Sequence, residues 1–91
     1  VILCSFGDAS LNHSTAVGAI NMACWVGCQN ISVPVVFICE DNQIGISVPT
    51  PSQWVERQYS QRPDLHYIYA DGLNLNDVVA AAREAEEYVR V

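Results

Sequence analysis

Two short apolar runs, each stopped abruptly by acidic and amide side chains, constrain this chain more than any other feature. The first, residues 1–6, ends on Gly7-Asp8-Ala9-Ser10; the second, residues 33–39, ends on Glu40-Asp41-Asn42. Apolar runs of this length, rich in β-branched residues, read as buried strands. The segment between them reads as a helix running to about Val26. Strand, helix and strand make a βαβ unit, whose crossover is right-handed. The fold class expected is therefore α/β, a parallel sheet with flanking helices.

In open α/β sheets, ligands bind in the crevice at the carboxyl ends of the strands. Asp8 and Asn42 both fall at that edge. Mg²⁺ takes near-octahedral oxygen ligands, usually one or two carboxylates together with substrate phosphates. Asp8, Asn42 and a backbone carbonyl in the loop after Asn42 offer half of such a shell. The amide groups opening the helix favour an anion at the same place. Taken alone, Asp8 also reads as a turn or helix-capping aspartate. Its pairing with Asn42 at a second strand end favours the metal reading.

The pairing Gly7-Asp8-Ala9 … Glu40-Asp41-Asn42 resembles the thiamine-diphosphate motif, GDG … NN. The chain is similar to the α subunit, or α part, of the decarboxylating first component of 2-oxo acid dehydrogenase complexes. Asn12, Asn21-Met22-Ala23, Ile44-Gly45-Ile46-Ser47 and Ala70-Asp71-Gly72 carry the resemblance further, so it spans nearly the whole chain. The resemblance implies a thiamine-diphosphate-binding fold, with residues 1–91 the central part of one domain of a longer chain. It implies thiamine diphosphate and Mg²⁺ as cofactors. Asp8, Asn42 and the Ile44 carbonyl would hold the metal, and Gly7, Ala9 and Ser10 would join them around the cofactor.

The implied reaction is oxidative decarboxylation of a small 2-oxo acid, with the acyl unit passed to a lipoyl group. The implied partners are a β subunit or β part and a lipoyl-bearing acyltransferase component. The resemblance implies that the glutamate activating the cofactor belongs to the β part, so no catalytic residue is assigned here. The compartment implied is the cytoplasm, or the mitochondrial matrix in a eukaryote. Ala9 stands where the motif has Gly, and Asp41 where it has Asn. The separation of Asp8 and Asn42 is also a few residues longer than the family's, the extra length falling in residues 26–32. A Cβ at position 9 bears on how closely the backbone approaches a diphosphate.

Composition narrows the field. The chain has 91 residues, 51% of them hydrophobic, with a formal charge of −6 and only four basic residues, all Arg. That hydrophobic content fits a buried α/β core. The charge argues against nucleic acid, whose phosphates need basic patches. With so few cations nearby, a bound diphosphate would depend on its metal. No run approaches the roughly 18 apolar residues of a membrane span. Cys4, Cys24, Cys28 and Cys39 form no Cys-x-x-Cys pair. They read as reduced, buried thiols rather than zinc ligands.

Along the chain, Asn12, Ser14 and Thr15 are candidate caps of the first helix. His13 has two readings, a hydrogen-bond donor to substrate or cofactor, or a half-exposed residue at a helix start. Residues 47–63 carry three prolines and read as a loop over the crevice. Trp54 there either closes the site, meets a partner subunit, or packs back on the core. Residues 65–70 are expected as a third strand. Asn74 and Asp77 form a capping-box-like pair, opening a scaffold helix to about Val91.

Three rivals stand beside the dehydrogenase reading. A transketolase-like enzyme uses Asp and Asn at the same strand ends. A phosphoryl-transfer domain with Asp8 as nucleophile wants a Lys at the crevice, and this chain has none. A non-catalytic relative would keep the fold as a subunit interface.

Overall fold

The computed structural model describes residues 1–90. Strand β1 (Ile2–Gly7) runs into a single 3₁₀ turn (Asp8–Asn12), then helix α1 (Ser14–Gly27) and strand β2 (Val35–Glu40). Helices α2 (Trp54–Tyr59) and α3 (Leu75–Val89) follow. β1 and β2 pair in parallel, in register from Ile2 opposite Val35 to Gly7 opposite Glu40. The strand–helix–strand unit expected from the apolar runs is therefore present. Its two strands end level, so Asp8 and Asp41 are the first residues past the same sheet edge.

Local chemistry explains where α1 begins. His13 is extended (φ −106°, ψ 137°), and its Nδ1 accepts the Thr15 backbone N–H at 3.1 Å. An N-cap acceptor of this kind satisfies one of the helix's orphan donors. The cap is thus His13, and not Asn12, Ser14 or Thr15; an imidazole nitrogen serves in place of the hydroxyl or amide oxygen expected. Gly7 has φ −89° and ψ 160°, a conformation open to any residue.

The core joins the turn and the helices next to Asp8. Leu11, Ile20, Cys24, Val55 and Tyr59 are buried together, with Phe6, Phe37, Cys39, Leu65 and Tyr67 packed against them. Phe6 and Phe37 meet edge to face, centroids 6.4 Å apart. α2 contributes Val55 and Tyr59, so the proline-rich segment is tied into the core by its helix.

Three expectations are corrected. β1 is not buried: Ile2 and Leu3 are 61% and 67% exposed. A strand's composition makes its faces apolar, but covering them takes further elements, and the described residues supply only a two-stranded sheet. Cys4 on β1 and Cys28 after α1 are exposed for the same reason, and only Cys24 is fully buried. Residues 65–70 form no strand. Leu65 and Tyr67 pack on the core, yet no backbone ladder joins this stretch to β2.

α3 starts as expected at Asn74, whose side chain accepts the Asp77 N–H at 3.2 Å. The Asp77 carboxylate, however, reaches past the cap to the Asp71 N–H at 2.6 Å. Ala81, Ala85 and Val89 are its half-buried stripe, while Leu75 is exposed. His66 pins the far end, stacked on Tyr88 at 4.3 Å and bonded to Glu84 at 2.9 Å. The expected last residue of this helix, Val91, lies outside the described residues.

Candidate cofactor site at the strand ends

Asp8 is the centre of the site. It is the most deeply buried side chain among the described residues, 1% exposed, and its position follows directly from the end of β1. Its Oδ2 accepts two hydrogen bonds, from Thr50 Oγ1 at 2.7 Å and from the Gln43 backbone N–H at 3.1 Å. Its Oδ1 is buried and has no hydrogen-bond partner. Buried polar atoms are nearly always satisfied, and an exception points to an ion, a water or a functional role.

The loop after β2 is built around the same carboxylate. Gln43 adopts the left-handed conformation, φ 62°. Asn42 Oδ1 accepts the Ile44 N–H at 3.2 Å, closing a local turn. Beyond it the chain doubles back: Thr50 N–H bonds the Gln43 carbonyl at 3.0 Å, and Gly45 N–H the Val48 carbonyl at 2.7 Å. Ile44 and Pro49 face each other between these two bonds. The bonds of the turn therefore skip the Ile44 carbonyl, which remains an available oxygen.

Charge sharpens the picture. Burial pushes the Asp8 carboxyl upward. The hydrogen-bond donors around it, the Thr50 hydroxyl first, outweigh it and hold the group below its ordinary value. Asp41 moves the other way. Desolvation and the neighbouring negative charge of Asp8 raise it, opposed by the Gln43 amide. Ionised together, Asp8 and Asp41 are two neighbouring like charges. A nearby cation would offset that repulsion. Cys39, beside the acids, has its thiol pushed up to about 11 by burial and by the charges of Asp41, Asp8 and Glu40. It is no nucleophile at neutral pH.

The remaining residues expected at the site are close by in the chain but differently disposed. A Cβ added at Gly7 would meet nothing within 4 Å, so the backbone there is open to approach. The Ala9 methyl lies 3.3 Å from where a Cβ on Gly45 would stand, packing the turn against the second loop. Ser10 is exposed, and its carbonyl accepts the His13 N–H at 2.9 Å. Ala9, Ser10 and His13 border an open groove of ≈ 790 Å³ with Phe6, Phe37 and Ile46. That is within the usual size of a small-molecule site. Trp54 borders a smaller hollow of ≈ 190 Å³ with Asn12 and Thr50. Asn42 and Ile44 are exposed.

Among the described residues no group of three or more His, Cys, Asp and Glu is placed to hold a metal. The oxygen-bearing groups in the chain just past the strand ends include the Asp8 and Asp41 carboxyls, the Asn42 amide and the Ile44 main-chain carbonyl. Thr50 and Gln43 were not legible as site residues. Thr50 is 42 positions from Asp8 and sits in a proline-flanked loop, and Gln43 acts through its backbone.

A parallel strand pair whose carboxyl ends hold a buried carboxylate with a free oxygen, beside an open groove, defines an α/β module suited to binding a cation or ligand. The chain belongs to the dehydrogenase E1 component family, whose model matches residues 1–91. It is 31% identical over 85 residues to a probable pyruvate dehydrogenase E1 component subunit alpha of Caenorhabditis elegans, covering 91% of this chain and 20% of that protein. It is 32% identical over 92 residues to the somatic pyruvate dehydrogenase E1 component subunit alpha of Sus scrofa, covering 99% of this chain and 22% of that protein. It is 28% identical over 87 residues to the human 2-oxoisovalerate dehydrogenase subunit alpha, covering 96% and 18%. All three relatives are named as mitochondrial. The chain thus spans about a fifth of the length of the curated relatives it matches. No solved structure matches it. No helix among the described residues is long and apolar enough to cross a membrane.

Proposed function

We propose that this chain anchors the diphosphate of thiamine diphosphate through Mg²⁺, as the central part of a thiamine-diphosphate-binding domain in the α subunit or α part of a 2-oxo acid dehydrogenase. The observation that carries the proposal is the Oδ1 of Asp8, an oxygen of a buried carboxylate with no donor, at the sheet edge where such folds bind ligands. A divalent cation is the partner such an oxygen lacks. Asn42 Oδ1 and the Ile44 carbonyl supply the further neutral oxygens a hard cation takes. The residues present fit the group.

Each residue has a defined task. Asp8 supplies the charge, and its burial keeps that charge from being screened by water. Asn42 and Ile44 hold the loop edge of the site. Gly7 leaves room for close approach, and the turn opened by Ala9 and Ser10 borders the groove. Bound thiamine diphosphate supplies the carbanion-stabilising chemistry of decarboxylation, and the protein's part is binding and orientation. No side chain of this chain is assigned proton transfer. A β subunit or β part, a lipoyl-bearing acyltransferase and a 2-oxo acid complete the proposed reaction. Pyruvate and 2-oxoisovalerate, which appear in the relatives' names, are the first substrates to try. The proposed location is the cytoplasm, or the mitochondrial matrix in a eukaryote.

The test is release of carbon dioxide from each of these acids by the full-length protein with its β partner. Activity that requires both thiamine diphosphate and Mg²⁺, and that a chelator abolishes, is the expected result. Decarboxylation that proceeds equally without the cofactor would overturn the proposal.

A further inference from the structure

Nothing in the family assignment or in the motif accounts for Thr50, yet it makes the shortest hydrogen bond to Asp8, 2.7 Å from Oγ1 to Oδ2. It is half-buried and held from three sides. Its N–H bonds the Gln43 carbonyl at 3.0 Å, and Pro49 and Pro51 flank it. A proline fixes its own φ, and the residue before a proline is restricted as well. The hydroxyl is therefore delivered by a stiff Pro-Thr-Pro segment rather than by a mobile loop.

The consequence lies in which oxygen of Asp8 is used. Thr50 Oγ1 and the Gln43 amide both donate to Oδ2, and Oδ1 receives nothing. Two donors on one oxygen fix the carboxylate plane and leave the other oxygen committed to neither. We infer that Thr50 is the positioning residue of the site: its hydroxyl holds Asp8 so that Oδ1 faces the cation, and ties the loop carrying Asn42 and Ile44 to the same carboxylate. Thr50 itself does not touch the metal. Partners that orient metal ligands typically change metal affinity by about 10- to 100-fold when removed. The inference rests on the proposed role of Asp8 as a metal ligand.

The experiment is a calorimetric titration of thiamine diphosphate into the full-length protein across a series of Mg²⁺ concentrations, for the unsubstituted protein, Thr50→Val and Thr50→Ser. Valine keeps the shape and removes the donor, and serine keeps the donor and removes the methyl group. Thr50→Val is expected to raise the Mg²⁺ concentration for half-maximal binding by about 10- to 100-fold, and Thr50→Ser to stay close to the unsubstituted protein. A purely structural role would lower the melting temperature of both variants without separating them in Mg²⁺ requirement. If Thr50→Val does not fold, Thr50→Ala carries the same comparison against Thr50→Ser. Metal-dependent binding that is unchanged in the donor-less variant, or equally weakened in Thr50→Ser, would overturn the role of Thr50 alone. Absence of metal-dependent binding in the unsubstituted protein would overturn the site reading and this inference with it.

Discussion

The backbone N–H of Gln43 donates to Asp8 Oδ2 at 3.1 Å, joining the loop after one strand to the end of its neighbour. The bond is made from a left-handed residue, φ 62°. For an L-residue that conformation costs on the order of 1–2 kcal/mol, so the loop holds Gln43 there against its preference. Gln43→Gly removes the Cβ penalty but adds backbone entropy to the unfolded chain. It is expected to stabilise by no more than about 1 kcal/mol. Gln43→Pro takes away the donor and demands a negative φ, and is expected to destabilise by more than about 1 kcal/mol. Thermal unfolding of both variants checks the contrast, and equal effects would count against the bond.

The acidic pair gives stability a particular dependence on pH. Asp8 is held below its ordinary value, so the unfolded chain binds its proton first as pH falls. Its contribution is present above the ordinary carboxylate value and lost as pH drops through the lowered folded value. Asp41 is raised, so the folded protein retains its proton longer as pH rises. Its contribution is present at acid pH and lost from the ordinary value upward through the raised folded value. Asp41→Asn is therefore expected to raise the melting temperature at neutral pH in the presence of chelator, with the gain shrinking toward pH 4. A gain that instead grows toward acid pH would contradict the upward shift of Asp41. Saturating Mg²⁺ should reduce the gain, because the cation favours the ionised form of Asp41.

The frame of this candidate site is legible in the sequence. The strand ends and the helix between them are local patterns, carried by the apolar runs and their polar stops. The placement of Asp8 and Asp41 just past one edge follows from the level register of Gly7 and Glu40. What could not be read depends on distant or covering partners. Composition marks the faces of β1 as apolar, but the exposure of Ile2 and Leu3 depends on elements outside the strand. The alternation of Leu65, Tyr67 and Tyr69 suits a strand, but strand formation needs a hydrogen-bonded neighbour. Thr50 reads as one more polar residue among prolines, and only folding brings its hydroxyl to Asp8. The His13 cap was missed because an imidazole is an uncommon acceptor at that position.

Ala9 and Gly45 test how tightly the two loops are packed. A Cβ on Gly45 would stand 3.2 Å from the Val48 carbonyl and 3.3 Å from the Ala9 methyl. Both distances are shorter than ordinary contact, so Gly45→Ala is expected to cost about 1–3 kcal/mol, as overpacking usually does. Combining it with Ala9→Gly removes one of the two close contacts and should recover part of the loss, a non-additive result expected of touching residues. Melting temperatures of the two single variants and the double variant check this. Strict additivity would separate position 9 from the second loop.

The central claim is that Asp8 binds the metal that holds the cofactor. It is tested most directly by calorimetric titration of thiamine diphosphate into the full-length protein and its Asp8→Asn variant, each with Mg²⁺ and with a chelator. Asparagine keeps the size of the side chain and removes its charge. The account predicts tight binding only for the unsubstituted protein with Mg²⁺, and loss of that binding both on chelation and in Asp8→Asn. An Asp8→Asn variant that binds the cofactor with undiminished affinity and the same Mg²⁺ requirement would contradict it.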